Sequence, residues 1–128
     1  MDRLIPKRLP KFKLKQYEPT EAIIKKSICD YLLLLEKRGK LLFIRNNSFA
    51  GFVGFNDNKR YINNAKGGSP DLFIFLPKGK VIHIEIKRPS GKQSEEQVKW
   101  ESVCTKLGHE YYVVRSLNEL VKIVNGSP

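Results

Sequence analysis

The sequence predicts an α/β domain whose helices and strands follow one another in the order α-β-β-β-α-β-α. Apolar residues recur at helical spacing after Thr20, a residue type that caps helices. Two runs of β-forming residues flank a turn sequence at 77–80. Two further helix-capping pairs begin at Ser94 and Ser116. The length of 128 residues suits one domain, and such a chain can bury a core without disulfide bonds.

Each element is placed by its local signals. The first helix is predicted to begin at about Glu21, to run to Lys37 and to stop at Gly39, because glycine commonly ends helices. The strands predicted over 72–76 and 81–86 are expected to form a hairpin, since only a short turn separates them. The remaining predicted elements are strands over 41–44, 72–76, 81–86 and 111–114, a helix after Ser94 that ends at Gly108, and a short helix after Ser116.

Residues 45–69 are long for a connection between two strands, which favours a functional role. The pattern leaves open a ragged hairpin or a loop over a binding surface. Its aromatic residues alternate with basic ones, which suits contacts with bases and phosphates. The competing interpretation places at least half of the Phe residues in the core. The residues concerned are Phe49, Phe52, Phe55 and Tyr61.

The charge points to a polyanionic partner. The chain has 24 basic and 13 acidic residues and a formal net charge of +11, which favours nucleic acid first and an anionic membrane surface second. No apolar run approaches the roughly 20 residues of a membrane span. Cys29 and Cys104 have no zinc-type spacing, so we expect both thiols to be reduced in a cytoplasmic protein. Residues 1–18 are predicted to be a basic arm and residues 19–128 the folded domain.

Three charged residues of the predicted hairpin form the candidate catalytic group. Glu85 and Lys87 are two apart on one strand, so their side chains share a face. A hairpin centred on Lys78 places Asp71 opposite Glu85, and one centred on Gly79 places it opposite Lys87. Either register brings the three side chains together, whereas a register shifted by one residue would separate them.

Two neighbouring carboxylates repel each other unless a cation lies between them. Oxygen ligands favour Mg²⁺ or Mn²⁺, and the backbone carbonyl of Ile86 could be a further ligand. Such a metal would polarise a phosphodiester, while Lys87 would hold the attacking water or neutralise developing charge. Glu21 lies on the apolar stripe of the first helix. There it could simply complement the helix dipole, but beside such a site it is the third carboxylate that we expect.

Other residues have both a structural and a functional interpretation. A Glu-x-Lys pair on a strand is usually an exposed charge pair, and only its combination with Asp71 in a basic chain favours catalysis. His83 is expected at an edge or in solvent. Trp100 is expected in the core rather than stacked on a base, because it shares a helical stripe with Cys104 and Leu107.

Three segments together resemble a known family, the VRR-NUC (virus-type replication-repair nuclease) domain of the PD-(D/E)xK nuclease superfamily. They are Gly68-Ser69-Pro70-Asp71, Ile84-Glu85-Ile86-Lys87 and Ser94-x-x-Gln97-x-x-Trp100. The resemblance runs from about residue 19 to residue 114. It implies a restriction-endonuclease-like core, in which a central mixed four-stranded sheet is flanked by helices.

The resemblance also implies roles and partners. Glu21, Asp71 and Glu85 match the acidic positions, Lys87 the lysine, and Gln97 the helix glutamine, which is also the capping partner of Ser94. The implied activity is Mg²⁺- or Mn²⁺-dependent phosphodiester hydrolysis. Stand-alone members act as homodimers on branched DNA such as Holliday junctions. From the sequence itself rather than from the resemblance, the expected DNA contacts are Arg45, Lys59, Arg60, Lys66, Gly68, Ser69, Arg88 and Lys92. Arg88 and Lys92 could equally form a solvated rim.

Three functional hypotheses follow. The first is a metal-dependent DNA endonuclease selective for branched replication and repair intermediates. The second is a non-catalytic nucleic-acid-binding module, which would bind in a salt-sensitive way without needing metal. The third is a subunit of a larger restriction or recombination complex, inert by itself. The intact Asp71, Glu85 and Lys87 argue against the second hypothesis, because acids repel phosphates.

Overall fold

The computed structural model describes residues 17–46, 50–63 and 66–126. All but the last two residues of the expected basic arm lie outside the described residues, as does Phe49. The elements are α1 (Glu21–Lys37), β1 (Leu42–Arg45), β2 (Ala50–Val53), β3 (Arg60–Asn63), β4 (Leu72–Leu76), β5 (Lys80–Ile86), α2 (Glu95–Lys106), β6 (Glu110–Val114) and α3 (Leu117–Val124).

The ends of the helices follow the predicted capping residues. The Thr20 hydroxyl accepts the backbone N–H of Ile23 at 3.2 Å, and α1 then runs to Lys37 as predicted. Ser94 and Gln97 form both hydrogen bonds of a capping box at the start of α2. These side chains satisfy backbone donors that lack partners within the first helical turn.

The central sheet is mixed and has the strand order β1-β4-β5-β6. The first two pairings are antiparallel and β5–β6 is parallel. In the β4–β5 hairpin Leu72 lies opposite Ile84 and Leu76 opposite Lys80, which is the register centred on Lys78. One residue further along the same register, Asp71 comes opposite Glu85. The predicted restriction-endonuclease-like fold, with its four-stranded sheet flanked by helices, is therefore confirmed.

The core lies between one face of the sheet and helices α1 and α3. Ile82, Ile84 and Ile86 alternate along β5 and are fully buried against it. Alternate residues of a strand point to opposite faces, so His83 and Glu85 face the other side, where α2 lies. The remaining core members are Ile24, Ile28, Cys29, Leu32, Leu41, Leu72, Ile74, Val114 and Leu120.

Three sequence expectations about burial are wrong. Phe52 and Phe55 are exposed on a separate two-stranded hairpin of β2 and β3 rather than packed in the core, and Tyr61 is exposed there too. Of the α2 residues expected in the core only Cys104 is buried. His83 is buried rather than at an edge, because α2 covers this part of the sheet. Periodicity in the sequence shows which elements have an apolar face. It does not show how much of that face the neighbouring helices and strands bury.

None of the helices in the described part of the chain is long and apolar enough to cross a membrane.

Candidate active site

Glu85 is the most buried charged residue of the site. It lies on β5 between Ile84 and Ile86, and only 2% of it is exposed. Its Oε1 accepts a hydrogen bond from Gln97 Nε2 at 2.8 Å and lies 3.8 Å from Lys87 Nζ. Its Oε2 is buried and has no hydrogen-bond donor among the described residues. A buried carboxylate oxygen without a partner is costly, so this atom requires a proton or a cation.

Asp71 directly precedes β4 and is held in place by several hydrogen bonds. Its Oδ2 accepts the backbone N–H of Ile86 at 2.7 Å, and its Oδ1 lies 3.0 Å from Lys25 Nζ. Asn46 Nδ2 donates to the carbonyl of Pro70 at 2.9 Å, and the backbone N–H of Asn46 donates to that of Asp71 at 2.8 Å. These bonds tie the start of β4 to both neighbouring strands and so fix the position of the carboxylate.

Glu21, in the first turn of α1, brings a third carboxylate close to Asp71 and Glu85. Glu21, Asp71 and Glu85 each offer one carboxylate oxygen, and the three oxygens all lie within 4.8 Å of one another. Glu21 and Asp71 are partly exposed, and Glu85 is buried. The site is thus open to solvent on one side. Three oxygen donors at such separations can hold one hard divalent cation.

The crowding of negative charge perturbs Glu85. Burial, followed by the charge of Asp71 beside it, raises the pKa of Glu85 from its ordinary value of 4.5 to about 8. Lys87 opposes this shift, and Glu21 adds to it. An ionised carboxylate has no hydrogen to donate. Asp71 and Glu85 can therefore form a hydrogen bond with each other only when they share a proton. A perturbed acid of this kind in a cluster of charged groups is typical of functional sites.

Gln97 performs two structural tasks at once. Its side-chain Oε1 accepts the backbone N–H of Ser94 at 2.9 Å, which closes the capping box, while its Nε2 donates to Glu85. The two interpretations of this residue are therefore compatible. The helix terminus holds the amide in the orientation in which it reaches the carboxylate.

Lys25 is the site residue that the sequence interpretation missed. It lies one helical turn after Glu21, so both side chains leave the same face of α1. That spacing was a readable signal, but α1 could not be placed against Asp71 without tertiary structure.

The expected nucleic-acid contacts are not members of the carboxylate cluster. The cations Arg45, Lys59, Arg60, Lys66, Arg88 and Lys92 are all exposed. Gly68 has a different reason to be glycine, because a Cβ there would lie 2.2 Å from the carbonyl oxygen of Glu96. Its φ of +80° also disfavours other residues. The hydroxyl of Ser69 donates to the carbonyl of Lys66 at 2.7 Å. Contacts of any of these residues with DNA stay predictions.

The fold is that of the restriction-endonuclease-like class, and comparisons with known proteins agree. The model of the VRR-NUC domain family matches residues 52–118. A protein of Acyrthosiphon pisum secondary endosymbiont phage 1, named "Putative nuclease p44", is 31% identical over 68 residues, which cover 52% of this chain and 73% of that protein. A solved structure titled "VRR_NUC domain" superposes with a TM-score of 0.60 at 20% identity over 86% of this chain and 100% of that one.

The chain therefore belongs to the VRR-NUC family, and it is a nuclease. The matched stretch contains Asp71, Glu85, Lys87 and Gln97 but not Glu21. The place of Glu21 in the site consequently rests on the geometry alone.

Proposed function

We propose that this nuclease is a Mg²⁺- or Mn²⁺-dependent DNA endonuclease that cuts branched replication and repair intermediates, such as Holliday junctions, as a homodimer. The observation that carries the proposal is the convergence of three carboxylates beside Lys87, with the unpartnered Oε2 of Glu85 among them.

The residues present fit a hard divalent cation. Glu21, Asp71 and Glu85 would hold it, with the backbone carbonyl of Ile86 as a further oxygen ligand. The buried Oε2 atom would then gain the partner that it lacks. When bound, the metal supplies Lewis-acid polarisation of the phosphodiester and lowers the pKa of a bound water.

The other groups of the site position the attacking water, the phosphate and the carboxylates. Lys87 is only 16% exposed in its side chain and lies close to Glu85, so its ammonium can hold the attacking water or neutralise charge on the phosphate. Gln97 orients Glu85 and, through the helix cap, is itself held rigidly. The Ile86 N–H fixes the second oxygen of Asp71. These contacts preorganise the site before substrate arrives.

The preference for DNA follows from charge and surroundings. A net charge of +11 favours a long polyanion, and the exposed lysine and arginine side chains are free to contact phosphates. The β2–β3 hairpin carries the exposed rings of Phe52 and Tyr61, which are in edge-to-face contact. It lies within residues 45–69, a segment that also contains basic residues. Large exposed apolar side chains commonly mark partner surfaces, which supports recognition of unpaired bases or of a second copy.

Cleavage of a labelled four-way junction, compared with a matched linear duplex, tests the proposal. Wild type, Lys87→Ala and Lys80→Ala are assayed with Mg²⁺, Mn²⁺ or EDTA. Lys80 lies on the same strand and pairs with Glu110 away from the site, so it controls for the lost charge. We expect metal-dependent cutting of the junction that Lys87→Ala reduces by about 10²-fold or more and Lys80→Ala leaves nearly unchanged.

Cutting of both DNAs at equal rates would refute junction selectivity and keep the nuclease. Equal loss in the two lysine variants would refute the role of Lys87 in the site. Cutting in EDTA would refute metal dependence. Sedimentation of wild type as a monomer at the assay concentration would refute the homodimer.

A further inference from the structure

A cavity of about 660 Å³ opens beside the candidate active site, between β5 and α2. Its lining is mainly apolar and aromatic, with His83 on β5 and Trp100, Val103 and Leu107 on α2. Val103 and Leu107 are 55% and 70% exposed, so apolar surface here is left in contact with water. The volume lies within the roughly 300–1,000 Å³ of small-molecule sites. Size and lining therefore suit a flat organic group.

The cavity lies next to the candidate active site along both β5 and α2. Gln97 contacts Glu85, and one turn later on α2 Trp100 contacts His83. His83 precedes Glu85 by two residues on the same face of β5, a separation of about 7 Å. A nucleotide next to a phosphate held at the carboxylates can reach this distance.

The charges around the cavity suit a nucleotide. Lys66 and Lys99 line it and are exposed, so their ammonium groups can contact the phosphates that flank a bound base. Glu96 is the acid among the lining residues. A carboxylate can accept hydrogen from the exocyclic amino group of a base, so its charge is compatible with a base edge.

His83 leaves one hydrogen-bond donor for a ligand. Trp100 Nε1 donates to His83 Nδ1 at 3.5 Å, and Cys104 Sγ lies 3.6 Å from the same nitrogen. Since indole is only a donor, Nδ1 accepts and the neutral ring carries its hydrogen on Nε2. That nitrogen makes no hydrogen bond with any residue of the described ranges. Burial, with a smaller effect of His109, lowers the pKa of His83.

We propose that this cavity binds an unpaired nucleobase adjacent to the phosphate that is cut. The proposal rests on the proposed function, and it narrows the substrate to DNA with an unpaired nucleotide at the cleavage position. A paired base would have to unpair and unstack before it could enter the cavity. That step costs free energy, and an unpaired base avoids the cost of unpairing. Trp100 and His109 offer ring surfaces, and base–aromatic stacking tolerates any base.

The first test uses Trp100 as a reporter, because it is the chain's one tryptophan. Its emission is titrated in EDTA with a matched duplex, the same duplex carrying one unpaired nucleotide, and that bulged duplex with an abasic analogue at the unpaired position. We expect quenching with the bulged duplex, and binding about 5- to 150-fold weaker when the base is missing. Equal affinity and equal quenching for bulged and abasic DNA would overturn the proposal.

The second test uses two variants of one helix. Val103→Glu places a carboxylate in the cavity, whereas Val98→Glu changes a valine of similar exposure, 51%, that does not line it. Both residues are exposed, so both variants are expected to fold, which thermal unfolding checks. Anisotropy of labelled bulged DNA should show binding at least about fivefold weaker for Val103→Glu than for Val98→Glu, with equal binding of the matched duplex. Equal effects of the two variants would overturn the proposal.

Two further outcomes separate the alternatives. A change of Trp100 emission with protein concentration alone, abolished by Val103→Glu, would overturn the proposal in favour of a contact with a second copy. Cutting that depends on Lys87 but is indifferent to the abasic analogue and to Val103→Glu would overturn the cavity proposal and leave the proposed function intact. Loss of the proposed function would instead show as absent cutting while the base-dependent quenching persists.

Discussion

Replacing Glu85 by glutamine should make the protein more stable at alkaline pH. The carboxyl of Glu85 has a pKa of about 8 in the folded protein and 4.5 as its ordinary value, so the folded state binds the proton more tightly. Stability from this group is complete below about pH 4.5 and is lost as the pH rises toward 8. The full loss corresponds to about 5 kcal/mol, because each pKa unit is worth about 1.4 kcal/mol.

Glutamine imitates the protonated acid without titrating. Its carbonyl can accept from Gln97, and its amide can donate to Asp71, where the wild-type Oε2 has no donor. Between pH 5 and pH 8.5, the unfolding free energy of Glu85→Gln relative to wild type should therefore rise by about 4 kcal/mol.

Urea unfolding in EDTA at the two pH values measures this difference. Glu95→Gln, which changes an exposed acid of α2, is the control and should shift by less than about 0.5 kcal/mol. A relative stability of Glu85→Gln that does not change with pH, or that falls as the pH rises, would refute the reasoning that burial and Asp71 hold a proton on Glu85.

Two further predictions concern the surroundings of the carboxylates. Lys25→Met removes the ammonium that pairs with Asp71 and would compete with a cation for that carboxylate. Mn²⁺ should therefore bind up to about fivefold tighter in a titration followed by electron paramagnetic resonance. Lys26→Met controls for net charge, and weaker binding by Lys25→Met would contradict competition. Gly68→Ala should destabilise the fold by about 2–4 kcal/mol in urea unfolding, because its Cβ would overlap the backbone of Glu96. Gly79→Ala, at a similar φ but in open space, should cost only about 1–2 kcal/mol, and equal losses would show that backbone strain rather than overlap sets the effect.

Local signals explain why part of the site could be predicted from the sequence. Asp71, Glu85 and Lys87 lie on or beside one hairpin, and the turn between its strands restricts the register to a few choices. Of the two even registers the structure has the one centred on Lys78, which itself adopts a positive φ of 65° in the turn. Strand alternation then determines which side chains share a face.

Contacts between distant segments could not be predicted in the same way. Lys25 meets Asp71 across 46 positions of the chain, and no periodicity reports the angle at which α1 crosses the sheet. The burial of His83 likewise depends on α2 covering that part of the sheet. The exposure of Phe52 and Tyr61 depends on a hairpin that pairs with itself rather than with the central sheet.

The sequence by itself determined the three helices and the four strands of the central sheet, their order and their ends to within a few residues, because caps, turns and alternation act over short distances. It left open whether residues 45–69 form a hairpin, and the structure shows β2 and β3 there. The sequence also determined the charge balance and the motif residues that mark the family. Only the tertiary structure decided that Glu21 reaches Asp71 and Glu85, that Lys25 pairs with Asp71, and that a cavity lies between β5 and α2. The physical reason is that these arrangements depend on how helices pack across the sheet, where the burial of many apolar side chains outweighs any local preference.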